Sequence, residues 1–217
     1  MDACTPEPPC HRSGDNAVIV LGIGNLLWAD EGFGVRCVER LQRDWELPGV
    51  ALVDGGTQGL YLIQHVQAAE RLLIFDAVDY GLAPGTLHEV RDDEVPQYLG
   101  AKKMSLHQTG FADVLALARL TGRYPRSVVL IGCQPEELED YGGSLRASVR
   151  TVLPQAVARG LDILRGWGVA AAPRTRALDS AEAVTLPHLA IERYEAERPS
   201  ADDACRVGDA RFFPERS

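Results

Sequence analysis

Basic residues are scarce in this sequence of 217 residues. Lysine occurs only at Lys102 and Lys103, and the 22 lysines and arginines face 31 aspartates and glutamates, which gives a formal net charge of -9 at pH 7. A protein that binds nucleic acid normally carries a clustered basic surface that neutralises phosphates. The sequence has no such cluster, so we expect no nucleic-acid partner.

Long apolar segments are missing as well. No run approaches the roughly 20 apolar residues of a membrane-spanning helix, so we expect no insertion into a membrane. The first residues lack the basic-then-apolar pattern of a secretion signal. The five cysteines are scattered and odd in number, which is not typical of a disulfide framework, and Cys4, Cys10 and His11 lack a second ligand pair at zinc-site spacing. These features predict a protein of the reducing cytoplasm.

The length and the 46% hydrophobic content suffice for one sizeable domain with tails. Residues 1–16 are rich in proline and charge and lack apolar periodicity, which predicts a disordered tail. Across residues 17–168, short β-branched runs alternate with segments of helical periodicity. This alternation predicts a single α/β domain, an open and mostly parallel twisted sheet with helices on both faces. Residues 169–217 are predicted to be a C-terminal extension, an appendage and not a second domain.

Two helices are predicted in less regular parts of the chain. Residues 59–69 have apolar side chains at three-residue spacing, which predicts a helix that buries Leu60, Ile63 and Val66. In the extension, residues 187–198 are predicted to form a last helix that could dock on the domain.

The most informative stretch covers residues 18–34. An apolar, β-branched run leads into Gly22 and Gly24, an acidic pair follows, and a segment with helical spacing begins after it. A strand, a tight turn and a helix in this order predict the first half of a βαβ unit. Loops beyond the carboxyl ends of parallel strands carry the chemistry of α/β sheets, and Glu31 lies in such a loop.

The same glycines partly resemble the fingerprint of a dinucleotide site, with Asp54 in the place of the ribose-binding acid. Leu27 stands where the third glycine is required, which compromises both the close packing of helix on strand and the approach to a pyrophosphate. The acidic pair that follows would also repel phosphate. The sequence therefore argues against a nucleotide-binding oxidoreductase, which binding of nicotinamide or flavin would reveal.

Three potential metal ligands fall at corresponding places in the predicted sheet. Glu31 follows the first strand, Asp76 ends the third, and His107 opens the helix after the edge strand. These positions can face one crevice, where the three side chains could bind a divalent metal and leave positions for water or substrate. The positive end of the helix dipole disfavours an imidazolium, which keeps His107 in the neutral form that a metal requires.

Each of the three also has an ordinary structural interpretation. An aspartate at a strand end is commonly a cap or turn residue, a glutamate favours a helix N-terminus, and a histidine near a cap is commonly polar surface. His65 and His88 fall within a predicted helix and a predicted edge strand, and we interpret both as structural. The sequence does not favour a serine or cysteine nucleophile, because Cys133 is the last residue of an apolar strand and no serine lies in a G-x-S-x-G turn. The joint placement of the three residues is what favours a shared site.

Several blocks of the sequence resemble one protein family. Residues 22–27 and 30–35 are similar to the opening signature of the hydrogenase maturation proteases, and further blocks agree in order at 54–57, 75–77, 83–86 and 107–110. The resemblance covers about residues 17–168. Motifs of the extension, at 194–195 and 205–209, resemble those of relatives that serve membrane-bound uptake hydrogenases.

The resemblance implies a fold of the phosphorylase/hydrolase-like type and a metal-dependent endopeptidase, grouped with the aspartyl proteases. It would remove the C-terminal extension from the precursor of a [NiFe] hydrogenase large subunit after nickel insertion. The resemblance further implies that Glu31, Asp76 and His107 bind the metal and form the catalytic site. Nickel would come with the substrate as the recognition element, and other divalent metals could substitute.

Two questions stay open at the level of the sequence. The metal could polarise the scissile carbonyl, activate a water or only dock the substrate, and Asp30 or Asp79 could act as a base. A function of a different class is a non-catalytic chaperone that binds the nickel-loaded subunit. Cleavage of the precursor by the purified protein alone would discriminate between protease and chaperone.

Overall fold

The computed structural model describes residues 17–100, 106–179 and 182–199, with the side chains of residues 98, 100 and 106–109 left out. The predicted N-terminal tail and the motif at 205–209 lie outside the described residues. None of the described helices is both long enough and apolar enough to span a bilayer.

The described chain alternates strands and helices, as its sequence predicts. In order, it forms β1 (Val18–Ile23), α1 (Phe33–Asp44), β2 (Trp45–Glu46), β3 (Val50–Gly56), α2 (Ile63–Ala68), β4 (Arg71–Ala77), β5 (Leu87–Arg91), α3 (Glu94–Gly100), α4 (Leu106–Leu120), β6 (Ser127–Cys133), α5 (Ala147–Gly166), β7 (Ala172–Pro173) and α6 (Ile191–Glu197). The first 3-10 helix (Ala29–Gly32) precedes α1, and the second 3-10 helix (Gly59–Leu62) precedes α2.

A five-stranded sheet in the order β3-β1-β4-β6-β5 forms the centre of the domain. Strands β3, β1, β4 and β6 are mutually parallel, and β5 adds an antiparallel edge. The chain leaves β1 for β3 on one side and then crosses to β4 on the other side of β1. The topological switch point, where such sheets open a crevice, therefore lies between β1 and β4.

Helices cover both faces of this sheet. On one face α1 and α5 pack on side chains such as Leu73 and Phe75, and on the other α2, α3 and α4 pack on alternate residues such as Leu72 and Ile74. Strands buried on both faces require continuous apolar runs, which is why the strands could be recognised in the sequence. Each fully buried side chain of this size contributes about 1.5–3 kcal/mol to stability. The predicted open, mostly parallel α/β sheet is confirmed.

The segment 59–69 differs from its prediction as a single helix. Residues Gly59–Leu62 form the second 3-10 helix, and the α-helix begins only at Ile63. The tighter winding of a 3-10 helix changes which side chains face the sheet. Leu60 is 58% exposed, whereas Leu62 is 1% exposed, so the prediction that Leu60 is buried was wrong.

The described part of the C-terminal extension packs on α1. Arg36, which is 3% exposed, donates from Nη1 to the Leu189 carbonyl at 2.6 Å and to Glu39 at 2.7 Å. Glu39 in turn accepts a hydrogen bond from the Ile191 amide at 2.9 Å, and Thr185 is buried. Further polar contacts join Arg150 to Glu195, Arg43 to Glu192, and the Tyr194 hydroxyl to the carbonyl of Gly143. This part of the extension therefore covers the domain instead of standing apart from it.

We expect truncation after Gly168 to destabilise the domain, because it exposes the α1 face and removes partners of the buried Arg36. A loss of about 2 kcal/mol would lower Tm by about 4–8 °C in a domain of this size. A second truncation after residue 199 keeps every contact described above and serves as the control. Thermal melts of both variants and the full chain measure the effect, and a Gly168 truncation that melts with the full chain would contradict it.

Candidate active site

Glu31 and Asp76 lie at the switch point of the sheet. Glu31 belongs to the first 3-10 helix, which follows β1, and Asp76 is the penultimate residue of β4. Strands β1 and β4 are hydrogen-bonded neighbours, and the first 3-10 helix packs against β4. The structure thus places two of the three predicted ligands at the carboxyl ends of adjacent parallel strands, where a crevice is expected.

Glycines allow the loop that carries Glu31 to approach the sheet closely. Gly24 has φ +128°, and a Cβ atom at this position would lie 1.7 Å from the Glu31 carbonyl oxygen. A Cβ atom at Gly34 would lie 2.2 Å from the carbonyl oxygen of Phe75 and 2.3 Å from that of Ile23. The glycine spacing in the sequence therefore serves backbone contacts between the turn, α1 and the strand ends, not a phosphate group.

The two carboxyl groups lie in unusual environments for acids. Burial raises the pKa of Glu31 from 4.5 to about 7, so this half-buried group is only partly ionised at neutral pH. Asp76 is 1% exposed. Moving carboxylates out of water is unfavourable unless a positive charge or hydrogen-bond donors offset the cost.

Asp30, one of the two suggested bases, has a structural role. It is completely buried, and Oδ2 accepts hydrogen bonds from the amides of Glu136 and Glu137 at 2.9 Å each. Its Oδ1 accepts from the amide of Arg146, the residue before α5, at 2.7 Å. These bonds fix the first 3-10 helix to the loop after β6, and they occupy the carboxylate that a base would need.

Gln134 and Tyr80 organise the loop after β4, and sequence reasoning missed both. The buried Gln134 accepts from the amides of Tyr80 and Leu82 at 2.7 and 3.1 Å and donates to Asp79 at 3.0 Å. Asp79, the other suggested base, therefore helps to shape this loop. A Cβ atom at Gly132 would lie 2.1 Å from the Tyr80 hydroxyl oxygen. Gly132 pairs with Asp76 in the sheet register, so Tyr80 occupies the space beside that carboxylate.

His107 is the second residue of α4. The structure describes its backbone but not its side chain. The first turns of α4 pack on the second 3-10 helix, and a Cβ atom on Gly110 would be in ordinary contact with Cα of Gly59, at 3.5 Å. Gly59 follows β3, so His107 stands at the same edge of the sheet as the two acids. Among the side chains that the structure describes, no three form a cluster able to hold a metal. A three-residue metal site stays a prediction.

The remaining candidates have structural positions. Asp54 accepts a hydrogen bond from the Gly56 amide at 2.9 Å, and burial raises its pKa. Burial raises the pKa of Cys133 to about 12, which leaves a thiol with almost no nucleophilic thiolate. His65 lies in α2 and His88 in β5, where the His88 ring is 5.2 Å from that of Tyr80.

The sequence profile of a family described as hydrogenase maturation protease matches residues 35–163, more than half of the chain. The chain belongs to the hydrogenase maturation protease family. It is 67% identical to the hydrogenase expression/formation protein HoxM of Cupriavidus necator over 199 residues, 91% of this chain and 98% of that protein. It is 62% identical to HupM of Azotobacter chroococcum over 197 residues, 90% of this chain and 93% of that protein.

The solved structures of the family show the same fold. The hydrogenase maturating endopeptidase HybD from Escherichia coli matches with a TM-score of 0.69 at 41% identity, covering 73% of this chain and 98% of its own. The resemblance noted in the sequence blocks is confirmed. Two relatives with solved structures, both from Escherichia coli, are described as endopeptidases, which supports an enzyme.

Replacing Glu31 by glutamine should change how stability depends on pH. Since the folded state raises the Glu31 pKa to about 7, it retains a proton that the unfolded chain releases near pH 4.5. The free energy of unfolding should therefore fall as pH rises from about 5 to about 7 and level off above that. Glutamine does not titrate, so Glu31→Gln should gain stability relative to the wild type over this range.

Urea unfolding at several pH values, in buffer with a chelator, measures this difference. Glu94→Gln, which replaces an exposed glutamate of α3, is the control and should follow the wild type throughout. A constant difference between Glu31→Gln and the wild type from about pH 5 to about pH 8 would show that Glu31 titrates normally.

Proposed function

We propose that the chain is an endopeptidase that removes the C-terminal extension from the precursor of a [NiFe] hydrogenase large subunit after nickel insertion. The observation that carries this proposal is the pair Glu31 and Asp76 at the switch point, in a chain whose relatives are maturation proteases. Close backbone contacts at Gly24 and Gly34 fix the loop of Glu31 against the strand ends, which supports a site for positioned hydrolysis.

The residues present fit nickel brought in by the substrate. Two carboxylates and the imidazole of His107 form a borderline-to-hard donor set without thiolate, and such a set binds free nickel only modestly. Nickel already held by cysteines of the precursor would complete a much stronger joint site. The partly buried Glu31 would gain from this contact, because the cation offsets the cost of keeping its carboxylate ionised.

In this proposal the chain's own residues contribute position and charge. Glu31, Asp76 and His107 contact the nickel of the precursor and so fix the scissile peptide against the crevice. Asp30 and Gln134 hold the two loops that form the crevice walls. Metal-dependent hydrolysis is our choice over the aspartyl type, because Asp30 is committed to three backbone amides. The cytoplasm remains our proposed location.

A non-catalytic chaperone of the nickel-loaded subunit is the second candidate, since the same crevice could bind nickel without hydrolysis. The names of two sequence relatives, hydrogenase expression/formation proteins, specify no cleavage and agree with either role. The relative with a solved structure is described as an endopeptidase. A single cleavage assay separates the two functions.

Purified protein should release the C-terminal peptide from nickel-loaded precursor and leave nickel-free precursor intact. Loss of a group that only orients a metal ligand commonly lowers activity by about 10- to 100-fold, so Asp76→Ala, which removes a proposed ligand itself, should slow cleavage by more than about 100-fold. Asp113→Ala, which changes an exposed aspartate of α4, should cleave normally. Mass spectrometry of the precursor follows the reaction.

Equal cleavage of the loaded and nickel-free precursors would show that nickel is not the recognition element. Tight binding to the loaded precursor without any cleavage would assign the chain to the chaperone class. Normal cleavage by Asp76→Ala would contradict the shared site.

A further inference from the structure

Large apolar side chains are exposed mainly at one end of the sheet. Among the described residues, those with substantial exposure include Leu120 and Leu186 and five residues in the segments that follow the parallel strands. These five, which we call the apolar rim, are Leu27 after β1, Leu60 and Tyr61 after β3, Leu82 after β4, and Tyr141 after β6. Every parallel strand is thus followed by a rim residue, at the edge of the sheet where Glu31 and Asp76 lie.

Backbone and ring contacts hold the rim in place. The Leu27 carbonyl accepts a hydrogen bond from the Gly142 amide at 2.7 Å, and Trp28 and Tyr141 form an isolated β-bridge. Their rings meet edge to face with 5.4 Å between centroids. The Leu82 amide donates a hydrogen bond to the side-chain oxygen of the buried Gln134. Apolar side chains held outward by a fixed backbone lose little conformational freedom on binding, which favours association.

The loops of the rim are strongly acidic. Residues 24–32, 57–62, 78–86 and 134–146 contain one basic residue, Arg146, which pairs with Asp140 at 2.8 Å. Their acidic residues number seven: Asp30, Glu31, Asp79, Glu136, Glu137, Glu139 and Asp140. Asp30 is completely buried and Asp140 pairs with Arg146, so the other five acids give the surface of these loops a formal charge of -5. A surface that is both apolar and acidic is complementary to one that is apolar and basic.

We propose that the apolar rim and its acidic loops are the docking surface for the folded part of the precursor, whose matching surface presents apolar side chains flanked by basic ones. This inference rests on the proposed function and adds the recognition surface to it. The rim spans β3, β1, β4 and β6, which at the usual strand spacing is a width of about 14 Å. This width exceeds that of one extended peptide, so it suits the surface of a folded partner.

The test replaces one rim residue and one exposed residue elsewhere. Tyr61 is 79% exposed, so Tyr61→Ser should leave the core intact. Leu120, 85% exposed at the end of α4 that lies away from the rim, provides the control Leu120→Ser. Aromatic anchors commonly dominate interfaces, so Tyr61→Ser should raise KM for nickel-loaded precursor about 5- to 30-fold with kcat nearly unchanged. KM of the wild type should also rise with salt, because the charges attract at long range.

Binding is measured separately from cleavage. For this measurement each protein also carries Asp76→Ala, and nickel-free precursor is the probe. Weaker binding by Tyr61→Ser but not by Leu120→Ser supports the rim even where no cleavage is found, and then only the proposed hydrolysis fails. Equal KM and equal affinity for the two serine variants would overturn the inference, and so would affinity that is independent of salt. A lower kcat with unchanged KM would place Tyr61 in the reaction instead of in docking, which also overturns it.

Discussion

The structure of the crevice depends on two close backbone contacts: the first 3-10 helix meets the turn after β1, and the start of α1 meets the ends of β1 and β4. A side chain at Gly24 or Gly34 would overlap the carbonyl oxygens of Glu31, Phe75 or Ile23. The contact places Glu31 in a half-buried position, where its pKa rises to about 7. Asp30 fixes the other side of the same turn through three backbone amides. The position of Glu31 and the pKa of its carboxyl group thus follow from backbone packing.

The domain separates the residues that stabilise it from those proposed to act. Two apolar layers, one on each face of the sheet, contain the large buried side chains. The loops at the carboxyl ends of the parallel strands contain the acids, the rim and the positive φ angle of Ala29, an uncommon conformation next to Asp30. A raised pKa at Glu31 costs stability when the group ionises, as is common where function requires a charge in a poorly solvated place.

The sheet and the positions of Glu31 and Asp76 at its strand ends could be predicted from the sequence, because buried parallel strands require apolar runs and their ends can be located to within a few residues. Other features depend on contacts that no local pattern encodes. Gln134 binds Tyr80 across 54 positions, and Arg36 binds Leu189 across 153. Leu60 was predicted to be buried because three-residue spacing fits an α-helix, whereas a 3-10 helix turned it to solvent. The apolar loop residues gave no periodic signal at all.

The most direct test of the backbone contact leaves every candidate site residue unchanged. Gly24→Ala and Gly122→Ala both place alanine at a positive φ, but only at Gly24 does the new Cβ meet other atoms, whereas nothing lies within 4 Å of Gly122. Processing of nickel-loaded precursor is measured for both, on protein shown to be folded by circular dichroism. Since displacing a reacting group by about 1 Å can cost about 100-fold, Gly24→Ala should lose most of its activity and Gly122→Ala should keep it. Equal processing by the two folded variants would contradict the account.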